Sequence, residues 1–149
     1  MKKSVATAGF LLGLIALTSC GTNPQAPVTS DDPKSQAEQA ALKYQAGTEE
    51  DKCRLDASKT GTKLDECLAK AAGVGTKESY VQEPEVIESE TWRAGYGVSV
   101  RYQKAEGPEV TWIYGMEQVD GQWKMTEYNQ LESKDATDPQ RVCKTLGTC

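Results

Sequence analysis

The chain has 149 residues, no His, and a net charge of −5 from 17 Lys and Arg against 22 Asp and Glu. The lack of His excludes Ser-His and Cys-His nucleophile pairs and the commonest zinc ligand. The acidic balance disfavours nucleic acid as a partner, because phosphate binding relies on clustered Lys and Arg.

The first segment, residues 1–19, has the pattern of a signal peptide. Two lysines precede an apolar run over residues 5–17, which is shorter than the about 20 residues that a membrane-spanning helix needs. The run leads into Leu-Thr-Ser-Cys, which ends at Cys20 and resembles the lipobox of bacterial lipoproteins. That resemblance implies cleavage before Cys20 and a diacylglycerol on its thiol. We therefore expect a lipid anchor on the extracytoplasmic face of the cell membrane; a plain secretory signal or an uncleaved anchor is the alternative.

The segment after the predicted cleavage, residues 20–34, reads as a lipidated Cys followed by a tether. It holds three prolines and small polar residues, a composition that buries too little surface to offset the entropy of ordering. Cleavage would also remove two lysines and no acid, which takes the net charge from −5 to −7. Such a charge disfavours contact with anionic lipid, so we expect membrane contact through the lipid alone. One folded domain is expected over residues 35–149.

Three helices are predicted in the first half of that domain. Asp32 is the expected cap of the first helix, which has Pro in its first turn and ends at Gly47. Thr48, followed by three acidic residues, begins a short second helix, where the acids complement the helix dipole. Thr62 opens the third helix, which has apolar residues at spacings of three and four and ends before Gly73.

Four cysteines remain besides Cys20, and an even number in an oxidising compartment predicts disulfides. Three connectivities are possible. Proximity in sequence favours Cys53 with Cys67, which would join the second and third helices, and Cys143 with Cys149, which would staple the C-terminal tail. Each bridge contributes roughly 2 to 3 kcal/mol in the chain-entropy model. A redox-active thiol pair is the alternative, but the sequence contains no Cys-x-x-Cys.

Alternating apolar and polar residues in the second half predict four antiparallel strands. The first lies within 86–92, the second within 96–102 and the third within 110–116. Asp120-Gly121 is a strong signal for a tight turn before the fourth. Helices followed by a run of strands indicate an α+β fold with the N-terminal helices packed on one face of a four-stranded sheet.

Most aromatic residues lie in the strand half, which allows two interpretations. They either form a core that compensates for Ala-rich helices, or some of them line a concave surface and present polar tips to a ligand or partner. By alternation, the candidates for the concave face are Tyr96, Tyr102, Trp112, Tyr114 and Trp123.

Segments at 40–44, 53–55, 67–69 and 117–125, the last reading EQVDGQWKM, resemble the small NTF2-like (cystatin-like) lipoproteins of actinobacteria. The resemblance covers about residues 35–132. It implies a cone in which a curved sheet wraps around a long helix, with Trp123 facing the interior. The chain departs from the family pattern in its short helices and in having no strand before the helix with Cys67. Many enzymes of that superfamily use an Asp and His dyad, which this chain cannot supply.

The remaining candidates for chemistry are acidic residues and glycines. Glu88 and Glu90 lie on one face of the predicted first strand, a pattern typical of a solvated strand face, and Glu83 and Glu85 precede them. Acids at 31–32 and 49–51 lack the Asp-x-Asp-x-Asp-Gly loop that binds calcium. The glycines at 73 and 75 follow a helix instead of a strand and end it, unlike those of a nucleotide-binding loop. We therefore assign no catalytic, metal or cofactor residue.

Two classes of function remain open. The preferred one is a non-catalytic lipoprotein that binds an envelope protein or a small apolar ligand. The alternative is a His-free NTF2-like enzyme that uses carboxylate and Tyr chemistry; an inhibitor or immunity-like protein is also compatible with the small disulfide-stapled format. A packed cone would exclude the enzyme and the small ligand, whereas an open pocket with a converging acid and Tyr would favour the enzyme.

Overall fold

The computed structural model describes residues 32–74 and 78–149. The predicted signal segment, Cys20 and the tether up to residue 31 lie outside the described residues. Helix α1 begins at Pro33, so the folded part starts two residues before the predicted domain boundary.

The three predicted N-terminal helices are present as α1 (Pro33–Ala46), α2 (Glu49–Leu55) and α3 (Thr62–Ala71). The side chain of Asp32 caps α1, since its Oδ2 accepts a hydrogen bond from the backbone N–H of Ser35, in the first turn, at 3.0 Å. Thr48 forms a capping box at the start of α2, as its position before three acids predicts. None of the helices in the described part of the chain has the length and apolar character needed to cross a bilayer.

A disulfide joins α2 to α3, as predicted. Cys53 and Cys67 are paired with their Cα atoms 5.8 Å apart. The chain leaving α2 then reaches the sheet, where Asp56 forms a parallel bridge with Met125 and the N–H of Ala57 donates to the Met125 carbonyl at 2.9 Å. The helical pair is therefore fastened to one edge of the sheet.

The predicted α+β class and four-stranded antiparallel sheet are confirmed. The strands follow one another in the order β1-β2-β3-β4, and the sheet is open. Strand β1 is longer than predicted because residues 80–85 do not alternate and include Pro84, which an edge strand with bulges tolerates. The strand bounds are β1 Tyr80–Trp92, β2 Gly95–Lys104, β3 Glu109–Val119 and β4 Gln122–Gln130.

Helix α1 covers one face of the sheet through small side chains. Ala37 and Ala41 are fully buried in a core cluster with Val98, Val100 and Met116. The face of α1 that carries these alanines therefore packs on the sheet, as the α+β prediction requires.

The C-terminal tail covers the other face of the sheet, which the sequence analysis did not predict. Helix α4 (Arg141–Thr145) brings Val142 and Leu146 into a second buried cluster with Trp92 and Ile113. A helix of five residues is too short to show a periodic pattern in the sequence. The sheet is thus buried on both sides.

Two covalent and ionic contacts fix the tail. A short 3₁₀ turn, Ser133–Asp135, leads into it, and the predicted disulfide between Cys143 and Cys149 closes it with Cα atoms 5.2 Å apart. Arg141 forms an ion pair with Glu88 of β1. The pair links the start of α4 to the edge strand.

The tail packs onto two glycines that face each other across the sheet. Gly97 of β2 and Gly115 of β3 are cross-strand partners. The ring of Trp92 lies over Gly115 and a methyl group of Val142 lies against Gly97, so that a Cβ at either glycine would overlap them. Because the two glycines have no side chain, Trp92 and Val142 can pack directly on the backbone of β3 and β2.

Replacing Gly115 by Ala should destabilise the fold by about 1–3 kcal/mol, because the added methyl group overlaps the rigid Trp92 ring. The free energy of unfolding is measured by urea denaturation followed by tryptophan fluorescence. Gly73→Ala is the matched control, since no atom lies within 4 Å of the added Cβ. Equal stability of the two variants would contradict the packing described for this face.

Candidate functional site

The five aromatic residues predicted for a concave face all lie on the side of the sheet that α1 covers, but at two separate places. Tyr96 and Trp123 lie near the start of α1, with their ring centroids 5.8 Å apart. Tyr102, Trp112 and Tyr114 lie near its end, where they line one open cleft. The helix separates the two groups.

We call the second place the tyrosine cleft. It is an opening of about 200 Å³ whose walls come from α1, α2, the residues before β1, and strands β2, β3 and β4. Its lining residues are Tyr44, Gln45, Lys52, Glu78, Tyr102, Lys104, Trp112, Tyr114 and Tyr128.

Aromatic contacts form the walls of the cleft. Tyr44 of α1 meets Tyr114 of β3 edge to face, with centroids 5.5 Å apart, and Trp112 lies 5.6 Å from Tyr128 of β4. Tyr128 is 52% exposed, so its ring stands at the mouth of the cleft. The walls are therefore apolar rings contributed by three different elements.

Gln45 connects the elements that line the tyrosine cleft. Its side chain is buried; its Oε1 accepts a hydrogen bond from the hydroxyl of Tyr114, and its Nε2 donates to the hydroxyl of Tyr80 at 3.1 Å. The Tyr80 hydroxyl also lies 2.9 Å from the Gln45 carbonyl and 3.0 Å from Oε2 of Glu78. This buried amide is therefore hydrogen-bonded through both its oxygen and its nitrogen, and it joins the end of α1 to β1 and β3.

A charged group forms one rim of the cleft. Oε1 of Glu78 lies 3.0 Å from Nζ of Lys104 and 3.8 Å from Nζ of Lys52, which also contacts Glu49 at 2.8 Å. Burial alone would raise the pKa of Glu78, but hydrogen bonds from Lys104 and Tyr80 and the nearby ammonium charges hold it below its ordinary value. The carboxylate is therefore ionised and already paired.

The tyrosines of this region are neutral phenols. Burial, the largest cause, raises the pKa of Tyr44 and of Tyr80 to about 12. Burial also raises the pKa of Tyr102 and of Tyr114 above the ordinary value. The cleft thus offers hydroxyl groups for hydrogen bonding and no phenolate near neutral pH.

A second opening, of about 410 Å³, lies at the start of α1, between the tips of two hairpins. Tyr96 and Trp123 line it, and the Trp123 indole donates to Oε1 of Gln36 at 3.2 Å. Arg93, in the turn between β1 and β2, lies over the ring of Trp92 at 4.3 Å and also lines the opening. Among its lining residues there is no acid.

The glutamates of β1 do not converge on either opening. Glu85 pairs with Arg101 and Glu88 pairs with Arg141, so both are engaged in ion pairs across the sheet or to the tail. Glu83 and Glu90 line neither opening.

Several cleft residues were not predicted from the sequence. Lys104, Glu78 and Lys52 come together only through the tertiary fold, and their spacing in the chain carries no signal. Gln45 does carry a signal in the sequence, because it lies four residues after Ala41, on the same buried face of α1. A polar residue at a core position of an apolar helix face needs buried partners, which points to a polar network.

No protein-family model, curated protein or solved structure matches this chain. Within residues 32–74 and 78–149, no three His, Cys, Asp or Glu side chains lie close enough together to hold a metal ion. The assignment of a function therefore starts from the geometry of the two openings.

The free energy of unfolding should fall as the pH rises from about 10 to about 12. Unfolded tyrosines ionise near pH 10, whereas in the fold the pKa of Tyr44 and of Tyr80 is about 12. The unfolded chain then holds fewer protons than the native one, so the stabilising contribution is complete below pH 10 and is lost above it. Urea denaturation followed by circular dichroism measures this, and Tyr44→Phe should make the decline smaller. An unchanged decline in that variant would contradict the assignment.

Proposed function

We propose that the chain is a lipid-anchored extracytoplasmic protein that binds a small ligand in the tyrosine cleft and carries out no catalysis. The single observation that carries the ligand part is the cleft itself, an opening with aromatic walls and a fixed polar interior. Sites for small molecules combine mainly apolar, aromatic linings with a few placed polar groups. At about 200 Å³ the cleft is smaller than the roughly 300–1,000 Å³ of drug-sized sites, so we expect a ligand of about one ring.

The location of the cleft suits a protein held at its N-terminus. The tether would join the domain at Pro33, at the start of α1, whereas the cleft includes Tyr44 and Gln45 in the last turn of that helix. A helix of 14 residues is about 21 Å long. The proposed anchor and the cleft are therefore attached to opposite ends of α1, which leaves the cleft clear of the tether.

The NTF2-like interpretation stays part of the proposal. In its favour, a helix lies on one face of an antiparallel sheet, and aromatic residues from three strands line an opening beside that helix. The family pattern as we stated it has no counterpart for the tail helix α4 on the second face.

The enzymatic alternative has one observation in its favour, because Glu78 and Tyr80 meet at 3.0 Å beside the cleft. Acid–base catalysis works best with groups whose pKa lies near the working pH. Here the pKa of Glu78 is held low and that of Tyr80 is raised to about 12, so the carboxylate is a weak base and the phenol a weak acid. The pair is better suited to holding the cleft than to moving protons.

A protein partner is the other binding candidate. The edge strand β1 exposes Val81 and Ile87, at 69% and 43%. However, Pro84 and register shifts interrupt the ladder of this strand, and such interruptions oppose pairing with another chain. We therefore prefer the small ligand.

Replacing Cys20 by Ala should release the protein from the membrane, because the proposed lipid is attached to that thiol and supplies the lasting membrane contact. Fractionation of cells into membrane, soluble and medium fractions measures the change. Lys63→Gln, an exposed substitution in the folded domain, is the control and should leave membrane retention as it is. Retention of the Cys20→Ala chain in the membrane would refute the anchor.

A panel of single-ring compounds, one neutral, one anionic and one cationic, should perturb the cleft in nuclear magnetic resonance spectra of the full chain in detergent. The three tryptophans provide three indole N–H signals, of which only that of Trp112 belongs to the cleft. We expect at least one probe to shift this signal and to leave that of Trp92 unchanged. Tyr128→Ala should abolish the shift, whereas Val81→Ala should not. Shifts confined to Trp123, or none with any probe, would overturn the proposed site.

A further inference from the structure

The tyrosine cleft offers hydrogen-bond donors and few unused acceptors. Its carboxylate, on Glu78, already accepts from Lys104 and from Tyr80, and the side-chain amide of Gln45 is bonded on both sides. The groups that can still form hydrogen bonds are the N–H donors of the lysines. Each ammonium has three N–H groups, of which Lys104 uses one on Glu78. A matching ligand therefore brings acceptors.

Two phenol groups add to this capacity. In the part of the chain that the structure describes, the hydroxyls of Tyr44 and Tyr128 take part in no hydrogen bond, although both rings line the cleft. Tyr44 is the more buried of the two, and its hydroxyl stays protonated well above neutral pH. A neutral phenol can donate to an oxygen atom of a ligand.

The free N–H donors of Lys104 at the rim favour an anion over a cation. Aromatic walls are also used to bind quaternary ammonium groups, which makes a cation the natural competitor. In this cleft, however, a cation would meet the ammonium group of Lys104, and the one carboxylate of the lining, that of Glu78, is already paired with it. Lys52 is engaged mainly by Glu49, at 2.8 Å. An anionic group would instead find spare N–H donors, and such charge-assisted hydrogen bonds are the stronger ones.

We propose that the tyrosine cleft binds a small aromatic acid, with the ring against Tyr44, Trp112 and Tyr128 and the carboxylate toward Lys104. This inference rests on the proposed function, since it names the ligand class of the same site. The size of the cleft limits the acid to one ring, and its walls supply ring contacts on more than one side.

The test compares three probes of similar size on the full chain in detergent: benzoate, benzyl alcohol and benzyltrimethylammonium. Dissociation constants come from titrations that follow the Trp112 indole signal. We expect benzoate to bind about tenfold more tightly than benzyl alcohol, because one hydrogen bond to a charged group contributes about 1.5 kcal/mol. The cation should bind most weakly.

Two variants locate the carboxylate and the ring. Lys104→Gln should weaken benzoate about tenfold and leave benzyl alcohol nearly unchanged, whereas Lys63→Gln, on the exposed side of α3, should change neither. Tyr128→Ala, at the exposed mouth, should weaken both probes because it removes a ring wall.

The outcomes separate this inference from the proposed function. If benzyl alcohol or the cation binds as tightly as benzoate, the aromatic acid is wrong while the cleft stands as a ligand site. If benzoate binds equally well in Lys104→Gln and Tyr128→Ala, it binds elsewhere and the inference fails. If no probe shifts the Trp112 signal, the proposed function fails together with the inference.

Discussion

The close contact of two alanines with the sheet sets the rest of the structure. Ala37 and Ala41 place the middle of α1 directly on the valines and methionines at the centre of the sheet. Large side chains have no room under that part of the helix, because protein interiors are packed to near-crystalline density. The aromatic residues of the same sheet face therefore lie at the two ends of α1, and each end has an opening lined by them. The candidate site follows from the small residues in the middle of the helix.

Small residues also make room for the side chains that cover the second face of the sheet. Gly97 and Gly115 remove two side chains from the centre of that face, and Trp92 and Val142 occupy the space. A domain of this size has a modest core, so burial of both faces by short elements adds apolar surface that the three N-terminal helices alone do not cover. One disulfide joins α2 to α3, and the other lies within the tail that covers the second face.

The features that could be predicted from the sequence are those that depend on residues close together in the chain. Caps at Asp32 and Thr48, alternation in the strands and the turn at Asp120 are local signals, and each has its counterpart in the structure. The alternation also assigned five aromatics to one sheet face, but it could not show that α1 divides them. The tail helix and the rim of Glu78 and Lys104 depend on contacts between distant segments, for which the sequence has no period or spacing. Gln45 is an intermediate case. Its position on the buried face of α1 could be predicted from the sequence, but its hydrogen-bond partners, which are distant in the chain, could not.

The two edges of the sheet bear on how copies of the chain behave when they are crowded. The edge at β4 carries a bridge from the segment after α2, while the edge at β1 has Pro84, irregular register and four glutamates without a basic residue in the strand. A lipid anchor of the kind proposed would confine many copies to one plane with similar orientation, where open strand edges would meet far more often than in free solution. The broken ladder at β1 opposes such pairing, and the bridge occupies part of the other edge. Both edges of the sheet thus carry features that oppose strand pairing between neighbouring copies.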